Sequence, residues 1–204
     1  MTTVMTIEEG TMRSFIGPDG NEYSLGHLAP FETVFGLKMG DEILEIPLWV
    51  TFRDHCYSRD ISKEDSEEAL TWIMPAKTGE APRLFCRDRW TYSHGLPSLL
   101  RNLIAGSTCY RTNQHGLYFR LEKSSRRGAR AEEGWYMFFS FARNPGREGQ
   151  LRLSIESIHD RPTRPSNARG NHSLRFWAAL KEYLEQRQEL FEEIKEEARK
   201  TKGS

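Results

Sequence analysis

The sequence predicts an α+β fold: an antiparallel sheet with two short helices and a long C-terminal helix packed on one face. Three observations predict it. Leu117, Phe119 and Leu121 alternate with Tyr118, Arg120 and Glu122, and Leu151, Leu153 and Ile155 alternate with Arg152, Ser154 and Glu156. That period of two belongs to strands with one buried and one wet face. Between them the run Trp135 to Arg143 is apolar on both sides, as a central strand must be. From His172 onward Leu174, Trp177, Leu180, Leu184, Phe191 and Ile194 recur at helical spacing.

Along the chain, residues 1–10 read as a flexible N-terminus. MRSFI and EYSL flank Pro18-Asp19-Gly20, so they read as a hairpin with its turn. Gly36 and Gly40 punctuate the path to EILEIPLWVTF, the strongest strand of the first half. Ser62 caps a short helix that starts at Ser62-Lys63-Glu64-Asp65, with Asp65 reaching back to the cap, and that ends before Pro75. RLFC is a short strand. Pro97 opens the second helix, with Leu99, Leu100, Leu103 and Ile104 on one face and Gly106 as its stop. Three strands follow, Leu117 to Glu122, Trp135 to Arg143 and Gln150 to Ile158, and Asn144-Pro145-Gly146 turns the last hairpin. This places an α+β domain over 11–170 and a long helix with a charged tail over 171–204. Asn171 caps that helix, and Leu190, Phe191 and Ile194 offer its second half a face for a partner helix.

Charge is unevenly spread. Residues 1–100 hold 9 Lys and Arg against 16 Asp and Glu, while residues 101–170 hold 13 against 6, and the last segment is balanced. The neutral total therefore hides an acidic first half and a basic middle. These either neutralise each other in the fold or leave a patch for phosphates. The 3 cysteines, Cys56, Cys86 and Cys109, are odd in number and widely spaced, which fits a reducing compartment better than a disulfide framework. Glu8 and Glu9 stand where a secretory leader needs basic and apolar residues, and no apolar run approaches the ~20 residues of a membrane helix. The expectation is a soluble cytoplasmic protein that meets no membrane.

Three polar clusters follow strand-like runs: Arg53-Asp54-His55, Arg87-Asp88-Arg89 and His159-Asp160-Arg161. Arginine supplies a fixed charge and a planar donor fork, and histidine titrates near neutrality. Together with the polar face of the sheet they form the first candidate site. A carboxylate, an imidazole and arginines suffice to cleave RNA without a metal. Glu156 then serves as base, His159 as acid, and Arg120 or Arg152 as the clamp on the phosphorane. His159 has the parity of Leu151 and Leu153, so it joins Glu156 only if the strand ends or bulges near Ser157. The plainer reading is a solvated sheet face.

A second candidate pairs the stretch Arg53 to Arg59 with Cys86 to His94. Arg53, His55, Arg87, Arg89, Tyr92 and His94 combine charge with aromatic faces, as a surface for bases and phosphates requires. Its alternative is an internal Arg–Asp lattice bracing two loops. Arg126, Arg127, Arg130, Arg161 and Arg164 lie in two basic connections suited to a phosphate backbone. Cysteines and His55, His94 and His115 show no CxxC, HxH or HExxH spacing, so no metal is assigned. No P-loop or Rossmann glycine pattern is present, so no cofactor is implied.

The order helix, three antiparallel strands, terminal helix over residues 96–200 resembles that of small microbial ribonucleases and ribosome-dependent toxin nucleases. It is a likeness in element order, and no catalytic residue carries over from it. The expected function is RNA-directed, as a metal-independent endoribonuclease of the growth-control type. The alternative is a non-catalytic interaction module that docks a protein partner or a second copy through its C-terminal helix.

Overall fold

The computed structural model describes residues 5–8, 11–74, 79–104, 108–111, 117–123, 134–161 and 173–202. In chain order these form β1 (Met5–Glu8), β2 (Thr11–Ile16), β3 (Glu22–Ser24), β4 (Phe31–Met39), β5 (Glu42–Phe52), β6 (Ser58–Asp60) and α1 (Glu67–Leu70). Next come β7 (Ile73–Met74), β8 (Arg83–Phe85), α2 (Arg87–Ser93), α3 (Leu96–Ile104), β9 (Thr108–Arg111) and β10 (Leu117–Lys123). The chain closes with β11 (Gly134–Arg143), β12 (Leu151–Arg161), β13 (Ser173–Arg175), α4 (Phe176–Glu185) and α5 (Gln188–Lys202). Two compact units result: residues up to Ala29 with Asp54–Pro97, and Pro30–Arg53 with the residues from Ser98 onward.

The first unit holds two three-stranded sheets, β1-β2-β3 and β6-β8-β7. Its core is aromatic. Phe15, Tyr23, Met74 and Phe85 are buried, with Tyr57, Trp72 and Trp90 packed against them. Phe15 stacks on Phe85 at 4.9 Å, and Tyr23 meets Trp90 edge-on at 5.1 Å. Offset and edge-to-face arrangements suit the ring quadrupole. Trp90 also donates from Nε1 to the Ser24 carbonyl at 2.8 Å, so its polar end is satisfied. The β2–β3 turn closes with Gly17 N–H to Asn21 O at 2.9 Å. A Cβ on Gly17 would lie 2.7 Å from the Trp72 ring, so only glycine fits there.

The second unit is built on one sheet in the order β13-β9-β10-β11-β12-β5-β4. Its pairs are antiparallel except β12 with β5, which run parallel with Leu151 opposite Leu48 and Ile155 opposite Phe52. On one face Leu48, Val50, Phe119, Met137, Phe139, Leu151, Leu153 and Ile155 are buried. Phe176, the first residue of α4, reaches Phe35 at 5.4 Å, Phe141 at 5.5 Å and Phe119 at 6.2 Å. Leu190, Phe191 and Ile194 of α5 are buried as well, so the apolar stripe expected to await a partner helix is filled within the chain. Where α5 passes the β11–β12 hairpin, Gly149 has φ +67° and its missing Cβ would lie 2.6 Å from Glu197 Cγ.

The expected α+β layering is thus corrected. The described chain is mostly β, with a seven-stranded mixed sheet and two small sheets in place of one antiparallel sheet covered by a long helix. Part of the error lies at Phe31–Met39. Phe31, Thr33, Phe35, Leu37 and Met39 do alternate, and Gly36 is a strand residue rather than punctuation; it makes room for Ile43, whose Cγ2 would lie 3.1 Å from a Cβ there. A second error concerns the terminus, which is two helices rather than one. No glycine or proline breaks them; instead Arg187 Nη1 donates to Tyr183 O at 3.3 Å and Gln188 Nε2 to Glu185 O at 3.1 Å, satisfying carbonyls that the helix releases. Leu174 sits in β13, so the helix begins later than Asn171. Its buried stripe is Phe176, Ala179, Leu180 and Leu184, which leaves Trp177 47% exposed. The first short helix is also displaced: Ser66 caps it by accepting from Ala69 N–H, while Asp65 accepts from Ser62 N–H at 2.6 Å in the preceding turn.

Candidate functional site

The polar face of the second unit's sheet is ordered by its register. Trp49, Arg152 and Ala142 form one row, and Thr51, Ser154 and Ser140 the next. Thr51 Oγ1 and Ser154 Oγ lie 3.2 Å apart. Then the pairing shifts: Ile155 faces Phe139, but Ser157 faces Phe138, which leaves Glu156 as the extra residue of a β-bulge. Beyond the bulge the parity of β12 is reversed. Ile158 returns to the buried face, and Ser157 and His159 join Arg152 and Ser154 on the polar one. This is the condition that the sequence set for His159 to share a face with Glu156.

Two rows cross the sheet after the bulge. Ser157, Phe138 and Tyr118 make the first, and His159, Tyr136 and Arg120 the second. Tyr118 and Tyr136 are fully buried, and Tyr118 stacks on Tyr110 at 5.2 Å. The accessible part lies toward β5 and the end of β12. Glu156 is 39% and Arg53 59% exposed, with Arg53 Nε 3.7 Å from Glu156 Oε2. Ser140 Oγ donates to the other carboxylate oxygen at 2.6 Å. His159 Nε2 lies 3.0 Å from Ser157 Oγ, and its ring meets Phe138 edge-on at 5.6 Å. The Arg161 guanidinium lies over the same Phe138 ring at 5.3 Å. A carboxylate, an imidazole, two guanidinium groups and a half-buried aromatic ring therefore share one face of the sheet.

The other named residues are elsewhere. Arg87 and Arg89 follow the strand β8 directly, but within the first turn of α2, a helix the sequence reading misses. Arg87 pairs with Asp19 and lies over Trp72 at 4.4 Å. Arg89 donates to the His55 carbonyl at 3.2 Å and to that of Ser58. Arg83 joins Asp60, lies 3.7 Å from Asp54, and donates to buried Ser58 Oγ at 2.8 Å. His55 lies 3.7 Å from Asp54, and its pKa is lowered by burial and then by Arg83. Tyr92 is half-buried and His94 exposed at the end of α2. In the first unit, then, the polar stretches form a lattice of arginines, carboxylates and carbonyls around an aromatic core. Arg126, Arg127, Arg130, Arg164 and His115 lie outside the described residues.

Several residues of interest escaped the sequence reading. His27 stacks on His94 at 3.8 Å, and burial followed by the His94 charge lowers its pKa to about 4. Ser93 Oγ donates to Trp90 O at 2.7 Å, so it accepts from His27 Nε2–H at 2.7 Å. Asp19 lines an open cleft of about 550 Å³ with Pro18, Glu68, Thr71, Trp72, Phe85 and Arg87. Burial raises its pKa, but hydrogen bonds from Asn21 and Tyr23 and the charge of Arg87 outweigh that and hold it low. A residue count has no signal for either arrangement, because each joins segments far apart in sequence. Cys56 and Cys109 are buried, and burial pushes the Cys109 thiol up to about 12, well outside a nucleophile's range. Among the described residues no group of three or more His, Cys, Asp or Glu is gathered to hold a metal, and no helix is long and apolar enough to cross a membrane.

The basic middle of the chain is partly neutralised within its own unit. Arg111 pairs with Glu182, Arg143 with Glu193 at 2.6 Å and Arg147 with Glu32 at 2.8 Å. No curated protein and no solved structure matches the chain. A family profile does, over residues 11–184, which run from β2 through both units almost to the end of α4. The chain therefore belongs to the YjaZ family.

Proposed function

We propose that the rim around Arg53, Glu156, His159 and Arg161 is an RNA-contacting surface, and that it carries a metal-independent endoribonuclease. The observation that supports this reading is the bulge at Glu156, which brings an imidazole onto the same face as a carboxylate held by Ser140 and Arg53. Glu156 takes the proton of a ribose 2′-hydroxyl, whose oxygen bonds to the adjacent phosphorus. The P–O5′ bond breaks as protonated His159 gives its proton to the leaving oxygen. The products are a 2′,3′-cyclic phosphate and a 5′-hydroxyl. Such general acid and base steps each contribute roughly 10²–10⁴-fold.

Arg53 and Arg161 supply the charge that the phosphorane needs, a role the sequence reading gave to Arg120 and Arg152. Those two stand in half-buried rows of the same face. Phe138, half-buried, holds the His159 ring and the Arg161 guanidinium on that face. The interaction-module alternative draws no support from α5, whose Leu190, Phe191 and Ile194 are buried in the chain itself.

The test incubates the protein with mixed cellular RNA, with and without EDTA, beside Glu156→Ala and His159→Ala variants. Chelator-resistant cleavage yielding cyclic phosphate ends, lost in both variants while their thermal midpoints hold, is the expected result. Intact RNA in every lane would sink the nuclease reading.

A further inference from the structure

β4 is the outermost strand of the seven-stranded sheet, and among the described residues no strand pairs with its outer edge. It is 9 residues long. An edge of that length presents a row of backbone donors and acceptors ready to pair with another chain, and proteins usually blunt such edges. Here the exposed face of the strand is Glu32, Val34, Gly36 and Lys38. Val34 is 58% exposed, and Ile43, opposite Lys38 on β5, is 59% exposed.

We infer that β4 pairs with β4 of a second copy, antiparallel and centred on Phe35, to make one sheet continuous across a two-fold axis. The sequence of the strand fits that register. With Phe35 opposite Phe35, Glu32 faces Lys38 of the second copy, Val34 faces Gly36, Thr33 faces Leu37 and Phe31 faces Met39. Every even-numbered residue then meets an even-numbered one. The exposed face thus remains one face and the buried face the other, as pairing without a slip requires.

Three features favour this occupant over an unrelated strand. Opposite charges sit directly across from each other twice, once at each end of the seam, at the separation where such pairs attract. Arg147 and Gln150 both reach Oε1 of Glu32, leaving Oε2 for Lys38 of the second copy. Lastly, Ile43 leans over Gly36, so Val34 of the second copy, opposite Gly36, packs against Ile43. Two exposed apolar side chains per protomer are covered at once, and an isologous contact closes as a dimer instead of growing into a fibre.

Sedimentation of the full chain tests this. The wild type should run at the mass of two chains, and Val34→Asp, an exposed change, should run as one with its circular dichroism and melting unaltered. Glu32→Lys and Lys38→Glu should each run as monomers, because like charges then face each other at both ends. Mixing those two variants should restore the dimer, since the mixed seam pairs opposite charges twice. A wild type that runs as one chain, a dimer indifferent to Val34→Asp, or a mixture that stays monomeric would each overturn the proposal.

Discussion

The two units use the same kinds of residue to opposite ends. In the first, Arg83, Arg87 and Arg89 reach Asp19, Asp54, Asp60 and backbone carbonyls, so guanidinium groups brace the segments around an aromatic core. In the second, Arg53 and Arg161 lie at a sheet rim beside Glu156 and His159, with Arg53 more than half exposed and its carboxylate 3.7 Å away. The lesson is that an Arg-Asp-His cluster in sequence has no fixed meaning. Removing a bracing arginine should lower stability; removing a rim arginine should leave the fold and remove a function.

The largest effect expected is in the first unit's core. Phe85→Ala removes a ring that stacks on Phe15 and Trp72 and should cost about 3–5 kcal/mol in urea unfolding. Next is Gly149→Ala, which places a Cβ at φ +67° against Glu197 and should cost about 1–3 kcal/mol by the same measurement. Arg83→Met should cost about 1–2 kcal/mol. Its pair with Asp60 counts little, because that carboxylate is 85% exposed, but Ser58 loses its donor in a buried place. Arg53→Met should stay within about 0.5 kcal/mol, as exposed pairs contribute little. Equal losses from Arg83→Met and Arg53→Met would erase the contrast between the units.

A pH titration sharpens it further. The His27 pKa is lowered to about 4 from 6.5, so the unfolded chain takes up the proton first. Stability from this group is complete above about pH 6.5 and falls as the pH drops toward 4. His27→Gln should flatten that part of the profile. An unchanged profile would show that the His27–His94 stack is not formed in solution.

How much of this was legible in the sequence follows from range. β5, β10, β11 and most of β12 were readable because apolar alternation is local, and the β2–β3 hairpin because Pro18-Asp19-Gly20 encodes its own turn. The parallel partnership of β5 with β12 was not, since nothing near residue 50 names a partner near residue 153. α2 was hidden because Arg87, Asp88 and Arg89 read as a polar cluster, although its helix-forming run continues to Ser93. As for the site, the sequence named Glu156 and His159 and stated that a bulge was needed to join them. It gave no sign that Ser140 would hold the carboxylate, because that contact depends on the register of two strands.

The most direct measurement is binding of single-stranded RNA by fluorescence anisotropy at two salt concentrations, comparing Arg53→Ala with Arg161→Ala on the rim and Arg87→Ala in the lattice. Wild-type binding should weaken with salt, as released counterions require. Each rim variant should weaken binding and lower the salt slope by about 1, while Arg87→Ala binds like the wild type with a lower melting point. Loss of binding in Arg87→Ala alone, or no salt-dependent binding by the wild type, would contradict the claim that the rim is the functional surface.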